Sequence, residues 1–522
     1  MQRKSAEKYA IISVFDKTGI ADFAKTLLDL NYKIISSGGT AKILLKNNIK
    51  VIPVQEITKN PECFDGRMKT ISFQIESGIL FDRAKLSHRK EAKKLGIKLI
   101  DIVVCNLYPF EKTVANPKVS LNDTIENIDV GGPTMIRAAA KNFQNVLVII
   151  DPQDYSNIAS VLHSDKILET KRKELAAKAF RHLSFYDSQI ARFLGKEDLF
   201  PNEITIPGRK AFDLRYGENP HQKASLYFEP NARSSLKNLK RLWGRELSLV
   251  NVADINAGLM SVGMFEEPVA VVIKHNGPCG IALGKTINEA LKRAIAGDPE
   301  SAFGGIIVLN KPIDLKTSKV IGNFKKERQS NIDIVAAPNI DKKAFNFLTS
   351  IRKSMGIYTF GQILKKFNIK TNLKPLEGGF ILQTLDNPER SFPNWTFTTI
   401  KKPTKKQLEQ MRIGWKFISR IRSNSVIVID KNLPMTRGIG SGQTSRFRST
   451  KIALEQAGKY AKSAILISDS FFPFDDGIKL AAKYGISAIL QQGGSVNDKA
   501  SIKAANDSGI TMVFTHARAF WH

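Results

Sequence analysis

Short β-branched runs alternate with amphipathic stretches from the start of the chain. YAIISVF (residues 9–15) gives way to ADFAKTLLDL, then YKIISSGGT, then AKILLKNN, with further runs at DIVVCNLY and NVLVIID up to residue 151. Runs that are apolar throughout suit strands covered on both faces, and the amphipathic stretches between them supply the covers. The pattern therefore predicts βαβ units around a parallel sheet. A helical stretch at about residues 170–194 closes this region, and the Pro-bracketed FPNEITIPG after it reads as a linker. The alternation resumes with SLYFE, PVAVVIK and GGIIVL, and again with SVIVID, SAILISD, SAILQQ and TMVFT, separated by the helical KKQLEQMRIGWKFISRI and STKIALEQAGKYA. A chain of 522 residues exceeds the roughly 250–300 at which single cores stop growing. Two α/β domains are expected, at 1–200 and 201–522, the second dividing into subdomains at about 201–375 and 376–522.

Composition narrows the class. Hydrophobic residues at 42% and charged residues at 25% fit neither a disordered chain nor a membrane protein. The opening MQRKSAEKYAIISVF breaks its apolar run at Asp16 and Lys17 and lacks a small-residue cleavage site, so it does not read as a signal peptide. Cys63, Cys105 and Cys279 are few, odd in number and far apart, which suits a reducing compartment, and the cytoplasm is expected. Lys plus Arg exceed Asp plus Glu by 79 − 49 = 30, a balance that attracts nucleotides, anionic cofactors or nucleic acid. No basic run is interleaved with aromatics as strand-binding surfaces require, so solvated surface is the favoured reading over a specific nucleic-acid site.

Several segments carry residues that chemistry needs. Ser36-Ser37-Gly38-Gly39-Thr40 follows a strand and precedes a helix, where free N–H groups and hydroxyls cradle a phosphate. Asp16-Lys17-Thr18-Gly19 sits at the matching turn after the first strand. Asp65-Gly66-Arg67-Met68-Lys69-Thr70 puts two cations and a hydroxyl beside a glycine, suiting a phosphate or an oxyanion. Asn106-Leu107-Tyr108-Pro109-Phe110 ends a strand, and Ile128-Asp129-Val130-Gly131-Gly132-Pro133-Thr134 leads into a helix expected over Met135 to Asn142, with Lys141 on it. In the second half, Arg215 to Gln222 has no hydrophobic period, and Lys274-His275-Asn276-Gly277 follows a buried-looking strand. A histidine there exchanges a proton near neutrality, with the lysine supplying positive charge. Residues 437–446 read as a glycine-rich loop before a helix, without the spacing of a dinucleotide fingerprint. Phe471, Phe472 and Phe474 beside Asp475 and Asp476 suit a flat heterocycle, with an apolar anchor as the alternative. Pro278-Cys279 is half of a zinc-deaminase signature, but position 282 is Ala and no H-x-E occurs, so no catalytic metal is expected.

Taken in order, D-K-T-G, S-G-G-T, G-R-x-K-T, C-N-L-Y-P-F, I-D-x-G-G, R-A-A-A-K-N, R-Y-G-E-N-P-H-Q, K-H-N-x-P-C-G, S-A-F-G-G, S-N-S-V, G-I-G-x-G-Q-x-S-R and F-F-P-F resemble the bifunctional purine biosynthesis family that joins an AICAR formyltransferase to an IMP cyclohydrolase. The resemblance runs from about residue 10 to the end of the chain. It implies an N-terminal domain similar to methylglyoxal synthase and a C-terminal transferase of two cytidine-deaminase-like subdomains without zinc. It also implies a homodimer, 10-formyltetrahydrofolate as co-substrate, and AICAR, FAICAR and IMP as the nucleotides handled. Carried over residue by residue, the resemblance gives the transferase Lys274, His275 and Asn424 for chemistry, Arg215, Tyr216, Asn251, Asp333 and Arg518 for the ribonucleotide, and Phe471 and Asp476 for the folate. The cyclohydrolase receives Lys69, Tyr108, Asp129 and Lys141 for chemistry, and Ser13, Lys17, Ser37, Gly39, Thr40, Arg67, Thr70 and Asn106 for binding. Three departures stand out. Residues 71–78 read ISFQIESG where L-H-P-K-x-H-G-G is usual, Phe15 replaces a serine, and the end reads T-H-A-R-A-F-W-H where T-G-M-R-H-F-R-H is common. Two alternatives remain at this level: a formyltransferase with an impaired cyclohydrolase, and a basic nucleic-acid-binding protein.

Overall fold

The computed structural model describes residues 7–64, 66–164, 168–328, 331–363 and 371–522, with backbone only for 324–328. Asp65 and residues 1–6, which the sequence reading touches, lie outside the described residues. The chain separates into two compact units, Met1–Arg209 with Glu229–Asn231, and Lys210–Phe228 with Ala232–His522.

In the first unit, β1 (Lys8–Val14), β2 (Tyr32–Ser36), β3 (Val51–Pro53), β4 (Ile100–Asn106) and β5 (Leu147–Ile149) form one sheet in the order β3-β2-β1-β4-β5. Every neighbouring pair is parallel. The strands are the apolar runs read from the sequence. Ile11, Ile12, Val103, Val104, Leu147 and Val148 are at most 1% exposed, and burial of each such side chain contributes roughly 1.5–3 kcal/mol. The 26-residue helix Glu169–Leu194 packs against β5 and the helix Gly131–Lys141. Its buried Leu175, Ala176, Ala179, Leu183 and Tyr186 recur at helical spacing, which fixes the face it presents. That second helix begins at Gly131, four residues earlier than the reading from Met135.

The second unit opens with the small antiparallel pair β6 (Arg209–Asp213) and β7 (Ser225–Phe228). β8 (Lys240–Trp243), β9 (Val269–Lys274), β10 (Gly277–Leu283), β11 (Ile306–Leu309), β12 (Ile334–Ala337) and β13 (Gly356–Thr359) form a six-stranded sheet in the order β10-β9-β11-β12-β13-β8. A hairpin of β14 (Thr371–Leu376) and β15 (Gly379–Thr384) follows. β16 (Thr396–Phe397), β17 (Val426–Ile429), β18 (Thr436–Gly440), β19 (Ile465–Ser468), β20 (Ala488–Gln491) and β21 (Thr511–Phe514) form another six-stranded sheet, ordered β18-β17-β19-β20-β21-β16. Strand for strand, the two sheets have the same order and the same sequence of parallel and antiparallel pairings. Each half also opens its main helix with a capping box, Ser248 with Asn251 in Leu249–Val262 and Thr404 with Gln407 in Lys405–Ile418.

The sheets meet edge to edge. Ala282 bridges Met435 in antiparallel sense, and Ile281 N donates to Thr436 Oγ1 at 3.2 Å. With β10 antiparallel to β18, the end of β9 and the start of β17 fall at the same end of the joined sheets. The glycine-rich segment at 437–446 is not the loop that was expected, since its first half is β18. A Cβ on Gly438 would lie 1.9 Å from Ala453 O, and one on Gly440 would lie 1.9 Å from Ser449 O. These glycines let the helix Arg446–Ala457 lie directly on a strand. Among the described residues no helix is long and apolar enough to cross a membrane.

Candidate functional site

In the first unit the strand order reverses between β1 and β4, so their C-terminal ends frame the crevice where open α/β sheets take ligands. Asn106, closing β4, holds the turn after β1: its Oδ1 accepts from Phe15 N at 2.6 Å and Asp16 N at 2.8 Å, and its Nδ2 donates to Asp16 O at 3.0 Å. That leaves only one of its N–H groups for a ligand. Thr40 fastens the helix Gly38–Lys46 to the same strand end, with Oγ1 3.1 Å from Val14 N and 3.0 Å from Val14 O. The N-cap Ser37 makes no side-chain cap bond, so the first-turn N–H groups stay open to an anion. Lys17 Nζ donates to Val14 O and Phe15 O, both at 3.0 Å, and its Cε lies 3.8 Å from where a Gly39 Cβ would stand. Burial lowers the Lys17 pKa. Half-buried Ser13 faces Cys105 across the β1–β4 register. Lys17, Ser37, Gly39 and Thr40 thus stand at the two strand-to-helix turns that follow β1 and β2, with Ser13 near the end of β1.

Beside these turns lies the group suited to acid–base work. Asp129 Oδ1 accepts from Gly132 N at 2.8 Å, and Asp129 N donates to the Tyr186 hydroxyl at 2.8 Å. Burial raises the Asp129 pKa, opposed by the N–H groups of Gly132 and Tyr108 and by the Lys69 charge. These interactions bring Asp129, Tyr108 and Lys69 together. Gly131 and Gly132 allow the helix start to approach the site closely: Cβ atoms there would meet Thr70 Oγ1 at 2.7 Å and Asp129 Oδ2 at 2.8 Å, and those side chains would have to shift. Tyr108 packs edge-on against Phe15 with centroids 5.8 Å apart. Arg67 pairs with Glu126. Lys141 stands at the far end of its helix, about 15 Å along the axis from Gly131, yet it lines a cavity of about 540 Å³ with Asp129, Arg137 and Glu76. Glu76 stands where the family pattern has its second histidine. Its Oε1 is buried without a hydrogen-bond partner, and burial pushes its carboxyl up to about 7.

In the second unit the strand β9 ends at Lys274 and β10 starts at Gly277, leaving His275-Asn276 as a two-residue hairpin loop. Both residues have positive φ, 53° and 62°, the pattern of a type I′ turn. Asn and His are both among the side chains enriched at positive φ, and residues held in such sparsely populated regions gather at functional sites. The turn leaves His275 exposed. Lys274 Nζ donates to Phe303 O at 2.9 Å. Close by, Asp333 N donates to Gly305 O at 3.1 Å, and the Asp333 carboxylate receives Arg245 Nη1 at 2.6 Å. Asn251 Oδ1 is committed to its capping box, 3.0 Å from both Ser248 N and Ser248 Oγ. The Arg215 guanidinium stacks 4.7 Å over the Tyr216 ring.

At the same end of the joined sheets, Asn424 precedes β17. Its Oδ1 accepts from Arg446 Nη2 at 2.7 Å, and its Nδ2 donates to Gln443 O at 2.9 Å. Arg446 also pairs with fully buried Asp469, which takes the Ser423 hydroxyl and, at 2.9 Å, Ser425 N. The backbone of Asp469 accepts from Ala519 N at 2.8 Å, drawing in the tail that carries Arg518. Arg518 stacks 4.7 Å over Phe520. Phe472 is the apolar anchor, 1% exposed, while Phe471 is half-buried and Asp476 is exposed at the first turn of Asp476–Lys483. Among the described residues no three His, Cys, Asp or Glu are grouped to hold a metal ion.

The sequence reading missed Arg245 and Asp254, met Glu76 only as a departure from the family pattern, and saw Asp469 and Arg446 only as members of longer motifs. Charged residues inside apolar stretches, such as Asp469 after SAILIS, were the available signal.

A model of the AICARFT/IMPCHase bienzyme family matches residues 139–456, and a model of the MGS-like domain matches residues 19–134. Two proteins named bifunctional purine biosynthesis protein PurH, from Oceanobacillus iheyensis and Lysinibacillus sphaericus, are 41% and 43% identical to this chain over 518 residues. Each alignment covers 99% of this chain and 100% of the relative. With the fold, the two residue clusters and the full length in agreement, the chain belongs to the AICARFT/IMPCHase bienzyme family.

Proposed function

We propose that this chain transfers the formyl group of 10-formyltetrahydrofolate to AICAR and then closes the resulting FAICAR to IMP with loss of water. The observation that carries this is full-length family membership, supported by the presence in both units of the motif residues carried over from the family. In the transferase, the AICAR amine sits on an aromatic ring beside a carboxamide and is a weak nucleophile. His275 accepts its proton as the nitrogen bonds to the formyl carbon, while Lys274 and the Asn424 amide stabilise the oxyanion. The tetrahydrofolate nitrogen then leaves as it takes up a proton. Arg215, Tyr216, Asn251, Asp333 and Arg518 hold the ribonucleotide, and Phe471 with Asp476 takes the folate ring.

In the cyclohydrolase Ser13, Lys17, Ser37, Gly39 and Thr40 hold the phosphate, with Arg67, Thr70 and Asn106 around the rest of the substrate. The carboxamide nitrogen attacks the formyl carbon, and Lys69, Tyr108 and Asp129 move the protons that let water leave, with Lys141 at the cavity's far side. No metal takes part in either step of this reading. The enzyme acts in the cytoplasm as a homodimer. A two-stage assay tests the proposal: AICAR with 10-formyltetrahydrofolate, then FAICAR alone, following tetrahydrofolate and IMP. Both products are expected. Silence in either stage removes the corresponding activity.

A further inference from the structure

The two residues of the β9–β10 turn are in the left-handed region, and the side chain beneath them belongs to neither strand. Asp254, on the second turn of the helix Leu249–Val262, is 4% exposed. Its Oδ1 accepts from Asn276 N at 2.6 Å. Burial raises the Asp254 pKa, while the N–H groups of Asn276 and His275 and the His275 charge oppose the rise. Lys274 ends the strand before the turn, and Cys279, on β10, is acted on by Asp298, Lys274 and Asp254.

The other half of the unit supplies an internal control. Counting from the two capping boxes, Asp254 is six residues after Ser248, and Gln410 is six residues after Thr404. Gln410 is also 4% exposed, but its Oε1 has no hydrogen-bond partner. The same place in the fold therefore holds a carboxylate engaged with the turn in one half and an amide whose oxygen has no partner in the other. A carboxylate is hard to bury, and here what it meets is the backbone and charge of the turn that presents His275.

We infer that Asp254 is a positioning residue of the formyltransferase: its carboxylate holds the His275-Asn276 turn in its left-handed form and supplies the negative charge against which the His275 imidazolium forms. Asp254 does not touch substrate. It acts through His275, as an orienting acid acts through a catalytic histidine. The inference rests on the reading of His275 as the proton acceptor.

The test uses the full chain with three substitutions. Asp254→Asn keeps an acceptor for Asn276 N and removes the charge, Asp254→Ala removes both, and Gln410→Ala makes the matching change in the other half. An unchanged denaturation midpoint, with KM for AICAR near that of the unsubstituted chain, reports that each variant's second unit is folded. For Asp254→Ala, kcat of formyl transfer is expected to fall about 100-fold with KM for both substrates within a few-fold. Asp254→Asn is expected to lose about tenfold, with the acid limb of its kcat profile moved to lower pH, because removing a negative charge disfavours the imidazolium. Gln410→Ala should leave formyl transfer unchanged. Should Asp254→Ala fail to fold, Asp254→Asn decides alone: wild-type kcat and an unmoved acid limb overturn the inference. An Asp254→Ala enzyme with near wild-type kcat overturns it too. Failure of the reading beneath it looks different, since the unsubstituted chain would then form no tetrahydrofolate.

Discussion

The two halves of the second unit share a strand order and divide the chemistry unequally. In the first half the exposed group is on a turn: β9 and β10 are joined by two residues, and His275 is presented at the hairpin tip. The corresponding β17–β18 connection is longer and closed on itself. Asp430 Oδ1 accepts from Asn432 N at 2.8 Å and Leu433 N at 3.0 Å, and Oδ2 takes Arg437 Nε at 2.7 Å. Burial works to raise the Asp430 pKa, but those N–H groups and the Arg437 guanidinium outweigh it and hold it below the usual range. The second half contributes instead from the start of β17, where Asn424 is pinned by Arg446 and Asp469. Edge-to-edge antiparallel joining brings the turn of one half and the strand start of the other to the same end. The difference teaches that a repeated fold can carry unlike groups on one shared end, a turn residue from one half and a strand-start residue from the other.

The largest effect should come from the turn. His275→Asn preserves it, since Asn accepts positive φ, and removes the imidazole proposed above as the proton acceptor. Formyl transfer should fall by about 10³-fold with the cyclohydrolase intact, and retention of activity would break the comparison at its first term. A smaller loss is expected from Arg446→Lys. A lysine presents one point charge where the guanidinium fork spans Asp469 and Asn424. The Asn424 amide is then free to turn, and kcat should drop roughly ten- to hundredfold with nucleotide KM little changed. Gln410→Met sharpens the contrast in stability. It removes a buried amide whose oxygen has no partner and replaces it with an apolar chain of similar length, a gain of about 1 kcal/mol in a denaturant titration.

Much of the fold was legible because buried strands are written as unbroken apolar runs. PVAVVIK, SVIVID and TMVFT were each recognised, and each is an inner strand paired on both sides. The glycine-rich 437–446 was misjudged because its glycines serve close helix–strand contact rather than loop freedom, and that need is set by Ala453 and Ser449, far along the chain. The internal duplication left no trace in the residues. His275 and Asp430 share a place in the fold but no chemistry. Of the site, the motif residues could be read, since functional types crowd together at strand ends. Asp254 could not, since VADINAG reads as an ordinary amphipathic helix with a polar residue on it. Its burial follows from helix packing against β9 and β11, which only the fold supplies.

The smallest test lies at the ends of β13 and β21, the corresponding strands of the two halves. Two residues past β13 stands Gly361, with φ of 72°, and two past β21 stands His516, with φ of 53°. One half thus meets a left-handed position with glycine and the other with a side chain, at a place where the family pattern T-G-M-R also has glycine. His516 is not idle, because its Nε2 lies 2.8 Å from Thr396 Oγ1 on β16. That contact is exposed, so its net worth is at the low end of about 0.5–1.5 kcal/mol. The left-handed conformation costs a residue with a Cβ roughly 1–2 kcal/mol, and glycine gives part of the relief back through its freer unfolded chain. The balance favours His516→Gly by a few tenths of a kcal/mol, read as a slightly higher denaturation midpoint with unchanged formyl transfer. A clear loss of stability would show that the Thr396 contact, and not the backbone, decides this position.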